Sequence, residues 1–226
     1  MEIKYYKIII FLFCWLFSNT TEYSVQLYGV PMANVMMSSQ DTIYNDINAC
    51  KIKFETQTNQ IISTIFKIDN IYETIIKKDN FEILSFKKDT YQPDVINKVY
   101  TISSIEGIKY PESNFIIPRD CFNIFSLLYY LSITSFDQIK NKVILEREGL
   151  LYQCIIDKKI INHLTYEIAL KFELINNENK PIIKNTDIFT WGLFKDDAIK
   201  KVIIKNSKIQ KCKFKVGLSN LEANIK

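Results

Sequence analysis

Alternation is the dominant pattern along this chain. In TYEIALKFEL (165–174), Tyr166, Ile168, Leu170, Phe172 and Leu174 fall on one parity, while Glu167, Lys171 and Glu173 fall on the other. KCKFKV (211–216) repeats the rhythm, with lysines opposite Cys212, Phe214 and Val216, and ACKIKFET (49–56) does so again. Successive strand side chains project to opposite faces, so each run has one buried face and one wet face, as in an antiparallel sheet. Further segments near 23–28, 30–38, 61–67, 71–77, 81–87, 98–105, 142–148, 150–158, 187–194 and 198–205 complete the predicted strands. The separators KKDN (77–80), NNENK (176–180), KDD (195–197) and KNSK (205–208) use Asn, Asp and Ser as turn residues. Strands joined this tightly form a meander, and a long meander with one apolar face must curl onto itself or pack against something. The predicted fold class is therefore mostly all-β: a curved antiparallel meander closing into a barrel or half-barrel.

One segment breaks the alternation. In NIFSLLYYLSI (123–133), Ile124, Leu127, Leu128 and Leu131 recur at i, i+3, i+4 and i+7, and Phe125 and Tyr129 widen the stripe. That spacing is helical, and so broad an apolar surface needs nearly complete burial. A plug helix near 121–132 is expected in the concavity or open end of the sheet. It follows the longest irregular stretch, 106–121, which holds two of the five prolines.

The N-terminus carries a different signal. Two lysines in MEIKYYK precede the uninterrupted apolar run IIIFLFCWLF (8–17), after which SNTTEYS turns polar. This is the layout of a secretion signal, and the run is about half of the roughly 20 residues a spanning helix needs. The expected organisation is a signal over 1–20, cleaved between 18 and 24, and a single β-barrel-like domain over 21–226. Retention of the segment as an anchor is the alternative; Cys14 lacks the small neighbours that lipoprotein-type cleavage requires. No later run is long enough to cross a membrane as a helix. The strand segments average shorter than the roughly 9–11 residues of a spanning strand, which speaks against an outer-membrane barrel.

Composition adds limits more than identity. With 226 residues, 47% of them hydrophobic and 13% aromatic, the chain can bury one large core. The 29 Lys and Arg against 25 Asp and Glu are spread along the chain, so nucleic acid is not an expected partner. Cys50, Cys121, Cys154 and Cys212 are widely spaced; after export they permit three full disulfide pairings, or they are small buried apolar residues. Cys121 precedes the helix and is the one candidate nucleophile, with the single histidine, His163, as its only imidazole base. Packing is the simpler reading of both. No metal-ligand spacing occurs; Asp196 and Asp197 read as a solvated turn, and no cofactor or metal is expected. Glu146 and Glu148 share strand parity and are expected to face water.

What remains is apolar surface on the inward parity. Phe125, Tyr129, Phe172 and Trp191, the last beside Gly192, are the residues expected to line a ligand site if the curved sheet keeps an open mouth. The competing reading is a core filled solid by its own side chains and the helix.

Two segments carry a family resemblance. NIFSLLYYLS (123–132) resembles the D-I-L-S-x-x-Y-Y-x-R signature of the exported bacterial proteins grouped as domain of unknown function DUF3108. FTWGLFKDDAIKKVIIKNSKI (189–209) resembles that family's late tryptophan, acidic pair, basic residue and β-branched strand; YSVQLYGVPMANVMM (23–37) is similar to its opening hairpin. The likeness spans about 23–218. Asn123 and Ser132 stand where the family usually has aspartate and arginine, and Lys201 sits near a position where it favours proline; if that aspartate and arginine form a pair in the family, the helix here has lost both partners and is held by apolar packing alone. The resemblance implies an exported, β-rich, barrel-like domain in the periplasm or cell envelope of a Gram-negative-type bacterium, with no known catalytic residues. The expected function is a non-enzymatic envelope protein that binds a lipid-like apolar ligand or an envelope partner. A thiol-dependent hydrolase using Cys121 and His163, and a structural or assembly scaffold with a solid core, are the alternatives.

Overall fold

The computed structural model describes residues 19–226 apart from 112, 114 and 176–179, so the apolar run 8–17, Cys14 and most of NNENK lie outside the described residues. Twelve strands form one antiparallel sheet. The first meander runs β1 (Asn19–Leu27), β2 (Val30–Tyr44), β3 (Ile47–Thr58), β4 (Asp69–Lys77), β5 (Ile83–Gln92) and β6 (Val95–Tyr100). After β6 come three short strands, β7 (Ile102–Ser104), β8 (Gly107–Lys109) and β9 (Ile116–Ile117), which pair among themselves, and then the helix α1 (Ile124–Ile133). The second meander comprises β10 (Lys142–Arg147), β11 (Leu150–Asn162), β12 (Thr165–Leu174), β13 (Ile199–Lys205), β14 (Lys208–Val216) and β15 (Ser219–Ile225), with the short helix α2 (Ile188–Leu193) between β12 and β13. Pairing of β1 with β15 joins the two meanders, giving the order β10 to β15, then β1 to β6.

Local chemistry explains the tight hairpins. Four two-residue turns, Tyr28-Gly29, Asn45-Asp46, Glu148-Gly149 and Asn206-Ser207, have positive φ at both positions, the backbone whose twist matches antiparallel strands. Gly149 is needed twice over, because a Cβ there would also press on the Ile182 side chain at 2.9 Å.

The sheet is not closed; β10 and β6 are its edges. Chain segments fill the seam between those edges. Phe122 N–H donates to Ile144 O (2.8 Å) and Glu146 N–H donates to Phe122 O (2.7 Å), so the strand edge of β10 is covered. On the other side Asn97 Nδ2 donates to Asn185 O at 2.8 Å. Across the seam, Lys88 on β5 meets Glu148 of the β10–β11 turn (2.5 Å) and Asp187 at the start of α2 (2.6 Å).

Inside the curl α1 is the plug, with eight of its ten residues buried. It is not held by apolar packing alone. Asn123 is its N-cap: the side chain accepts from Ser126 N–H (2.8 Å), Ser126 Oγ accepts from Asn123 N–H (3.1 Å), and Asn123 Nδ2 donates to Thr74 Oγ1 (2.9 Å). Ser132 Oγ turns back to donate to Tyr129 O at 2.7 Å.

Two segments expected to be strands are not. Residues 61–67 form a 3-10 turn, Ile62–Thr64, started by Asn59 Oδ1 accepting from Ile62 N–H at 2.9 Å. Within 187–194, Ile188–Leu193 is helical because Asp187 caps it, its carboxylate accepting from Thr190 N–H (2.9 Å) and Thr190 Oγ1 (2.7 Å). Strand lengths also exceed expectation: β2 has 15 residues, β3 12 and β11 13. The case against a lipid-facing barrel therefore moves from length to the outer face. That face carries ion pairs such as Lys51–Glu73 (2.7 Å), Lys201–Glu167 (2.7 Å) and Lys211–Glu222 (2.6 Å), a surface made for water. No helix among the described residues is long and apolar enough to cross a membrane.

Candidate ligand-binding cavity

The plug does not fill the sheet. Beside α1 a half-open cavity of about 390 Å³ remains, within the roughly 300–1,000 Å³ of small-molecule sites. Inward parity builds its walls. Strand β1 supplies Tyr23, Val25 and Leu27; β2 supplies Ala33, Val35 and Met37; β3 supplies Phe54, Thr56 and Thr58. Cys212, Phe214, Leu221 and Ala223 of β14 and β15 face them, while Phe125 and Leu128 of α1 form the floor. Ile62, Phe66 and Ile68 of the β3–β4 loop, with Ile188 and Phe189 of α2, close in from the mouth. None of the described residues lining it is charged.

The mouth is a tied structure. Asn59 N–H and Nδ2 donate to Met32 O (3.0 Å) and Pro31 O (2.7 Å), and Tyr28 Oη donates to Leu218 O (2.5 Å). These bonds hold the β1–β2 turn against the β3–β4 loop and the β14–β15 turn. Exposed apolar side chains surround the opening, with Ile61, Ile65 and Leu218 the most exposed.

Phe125 centres an aromatic cluster at the floor: Tyr72 stacks on it at 4.4 Å, Phe54 lies at 5.1 Å, and Phe86 and Phe189 at 6.1 and 6.2 Å. The other three residues expected to line a ligand site lie elsewhere. Tyr129 points to the β3 side of the helix, where its hydroxyl accepts from Cys50 Sγ at 3.4 Å. Phe172 packs on Phe194 (4.9 Å) in a separate aromatic group, and Trp191 is half exposed with Lys195 over its ring at 4.1 Å. The helical turn of α2 causes the last difference: it directs Ile188 and Phe189 to the cavity and rotates Trp191 away.

Behind Tyr72 lies a buried polar cluster that alternation did not reveal. Lys88, Glu148 and Asp187 are all at most 3% exposed. Burial opposes ionisation of Asp187, but the Lys88 charge and its hydrogen bond, with those from Thr190, hold the carboxyl below its ordinary range. Glu146 is buried as well and accepts from Tyr110 Oη (2.5 Å) and Gly149 N–H (2.9 Å). Burial pushes its carboxyl up to about 7 despite those hydrogen bonds. The expectation that Glu146 and Glu148 face water is thus wrong, because Tyr110 and Phe122 cover that side of β10 and the seam closes over the turn. Only about 20 Å³ of space adjoins this cluster, room for a water and not for a substrate.

Cys50, Cys121, Cys154 and Cys212 are buried and free, in place of the disulfides the sequence permitted. Burial raises the pKa of each, with Cys154 and Cys212 pushed up to about 12. Cys121 Sγ donates to Pro118 O at 2.9 Å, and His163 sits exposed in the β11–β12 turn, so the pair is not assembled as nucleophile and base. Asp196 and Asp197 are exposed, and no group of three metal-binding side chains occurs among the described residues. A second, polar groove of about 450 Å³ lies between β6 and residues 182–185 and includes Asp94, Asn97 and Lys98. It is a wet seam with no convergent chemistry.

No protein-family model matches the chain, and no curated protein matches it. The resemblance to DUF3108 therefore rests on the residues quoted for it. Among solved structures, the crystal structure of a beta-barrel-like protein of domain of unknown function DUF1849 from Brucella abortus is similar, with a TM-score of 0.52 and 8% identity. The match covers 92% of this chain and 95% of that one, and at such identity the likeness is one of fold: a beta-barrel-like domain over nearly its whole length.

Proposed function

We propose that this protein binds a lipid-like apolar ligand in the cavity beside α1. The observation that carries the reading is a half-open space of about 390 Å³ whose described lining has no charged residue. Water in such a space finds few partners, so replacing it with hydrocarbon is favourable by about 0.8 kcal/mol per buried methylene. A solid-core scaffold would have no reason to leave this volume beside a well-packed plug. The protein acts as a binder and not as a catalyst, since the one candidate nucleophile is sealed in the core and the one histidine is at a hairpin tip. The apolar run 8–17 and the resemblance to exported envelope proteins support a site of action in the cell envelope.

The test is titration with N-phenyl-1-naphthylamine, an uncharged fluorescent probe, on the wild type and on Ala33→Phe. Ala33 is on the wall, and the larger ring projects into the empty volume. The expected result is saturable binding to the wild type and at least a tenfold loss in the variant, with an unfolding midpoint unchanged or raised. Absence of saturable binding to the wild type, or equal binding by the variant, overturns the reading.

A further inference from the structure

We infer that the ligand is an uncharged chain carrying a hydrogen-bond acceptor oxygen in its buried part, received by the Tyr23 hydroxyl. This deepens the proposed reading and rests on it. Tyr23 is 94% buried, being only 6% exposed, and stands on the cavity wall. Its ring hydroxyl has no hydrogen-bond partner among the described residues. The other phenol on the wall differs: Tyr72 Oη accepts from Asn70 Nδ2 at 3.1 Å and is engaged with Asp187. The hydroxyl is not among the fully enclosed unpartnered atoms, so it is open to the cavity, where an acceptor on the ligand can supply the hydrogen bond that the apolar walls do not. The buried thiol of Cys212 lies near enough to influence it but is a weak partner.

The depth of Tyr23 sets the kind of oxygen. Leu27 stands at the mouth and Tyr23 four residues further along the same strand, roughly 13 Å deeper at a strand's rise. A bulky or ionic head group cannot travel that far into a cavity without a charged residue on its described lining, because an unpaired ion loses its hydration. A ketone, ester or aldehyde carbonyl can, and the phenol donates to it. A free carboxylate is excluded from the depth and remains at the mouth.

The experiment is displacement of N-phenyl-1-naphthylamine by three ligands of matched chain length, decane, 2-decanone and decanoate, at about pH 8 where the acid is ionised. Wild type and Tyr23→Phe are compared, and unfolding midpoints show that both are folded. The wild type is expected to bind 2-decanone more tightly than decanoate, which should be the weakest of the three. Tyr23→Phe should lose roughly threefold to tenfold for 2-decanone and nothing for decane, the worth of one neutral hydrogen bond. If the variant leaves the ketone affinity unchanged, or if decanoate binds the wild type as well as 2-decanone does, the inference fails while the cavity reading stands. If none of the three displaces the probe, both fail together. The wild-type ranking of ketone against carboxylate decides independently of the variant.

Discussion

Lys88 is the residue on which closure of the sheet depends. The residue is 2% exposed, and its ammonium lies 2.5 Å from Glu148 and 2.6 Å from Asp187, both of which belong to the second meander across the open seam. Lys88→Met keeps the length and apolar stem but removes the cation that the two buried carboxylates share. Removing one partner of a buried ion pair costs about 3–5 kcal/mol; Asp187 is left without a cation, while Glu148 keeps Arg147 Nε at 3.6 Å, so the middle of that range is expected. Against a total stability of about 5–15 kcal/mol that is a large fraction. With a urea slope of roughly 2 kcal/mol per molar, the unfolding midpoint falls by about 2 M, measured by far-ultraviolet circular dichroism. The triple change Lys88→Met, Glu148→Gln, Asp187→Asn removes the three charges of the cluster and keeps a capping oxygen at 187. It should recover most of the loss, since neutral replacements of buried ion clusters are often tolerated. A Lys88→Met midpoint within 0.5 M of wild type, about 1 kcal/mol at that slope, would falsify the claim that this cluster clamps the seam. So would a triple variant no more stable than the single one.

Three further outcomes follow from the same packing. Glu146 has a carboxyl raised to about 7, so its proton is held more tightly in the folded state; that contribution is complete below the unfolded value near 4.5 and is lost as pH rises through about 7. Glu146→Gln, which keeps an oxygen to accept from Tyr110 and Gly149, should match wild type at about pH 4 and exceed it by about 3 kcal/mol at pH 8 in urea titrations; equal pH dependence of the two proteins refutes this. Asn123→Ala removes the cap of α1 and the partner of Thr74 Oγ1, and should lower stability by about 1–2 kcal/mol, whereas Asn123→Asp should keep the cap; equal loss in both would show that the cap is not what counts. The four described thiols should react with an aromatic disulfide reagent only on the timescale of global unfolding; rapid labelling of Cys121 in the native state contradicts its burial.

Which of these features the sequence displays depends on how local their causes are. Strands such as β12 and β14 are legible because every second residue is apolar, and α1 because its stripe recurs at helical spacing. The 3-10 turn at 62–64 and helix α2 are set by single side-chain acceptors, Asn59 and Asp187, placed just before apolar runs that read equally well as strands. The D-x-x-T of Asp187 to Thr190 was the available signal for α2. The cavity lining was half readable: Phe125 is on the inward helix face, but Tyr23, Ala33 and Met37 become neighbours of Phe214 only through the β1–β15 pairing. The ionic cluster is the least legible, since Lys88, Glu148 and Asp187 meet over separations of 60 and 99 residues. One clue was present: Lys88 falls on the inward parity of β5, between Phe86 and Thr90, where a lysine requires a buried partner.

The central claim is that the space beside α1 is a binding site for apolar chains. Isothermal titration of the wild type with a series of 2-alkanones from eight to fourteen carbons tests it most directly. The account predicts one site per chain, a negative heat-capacity change, and a roughly fourfold gain in affinity per added methylene until the 390 Å³ is full, after which affinity levels off. Affinity that does not depend on chain length, or no saturable binding across the series, would contradict it.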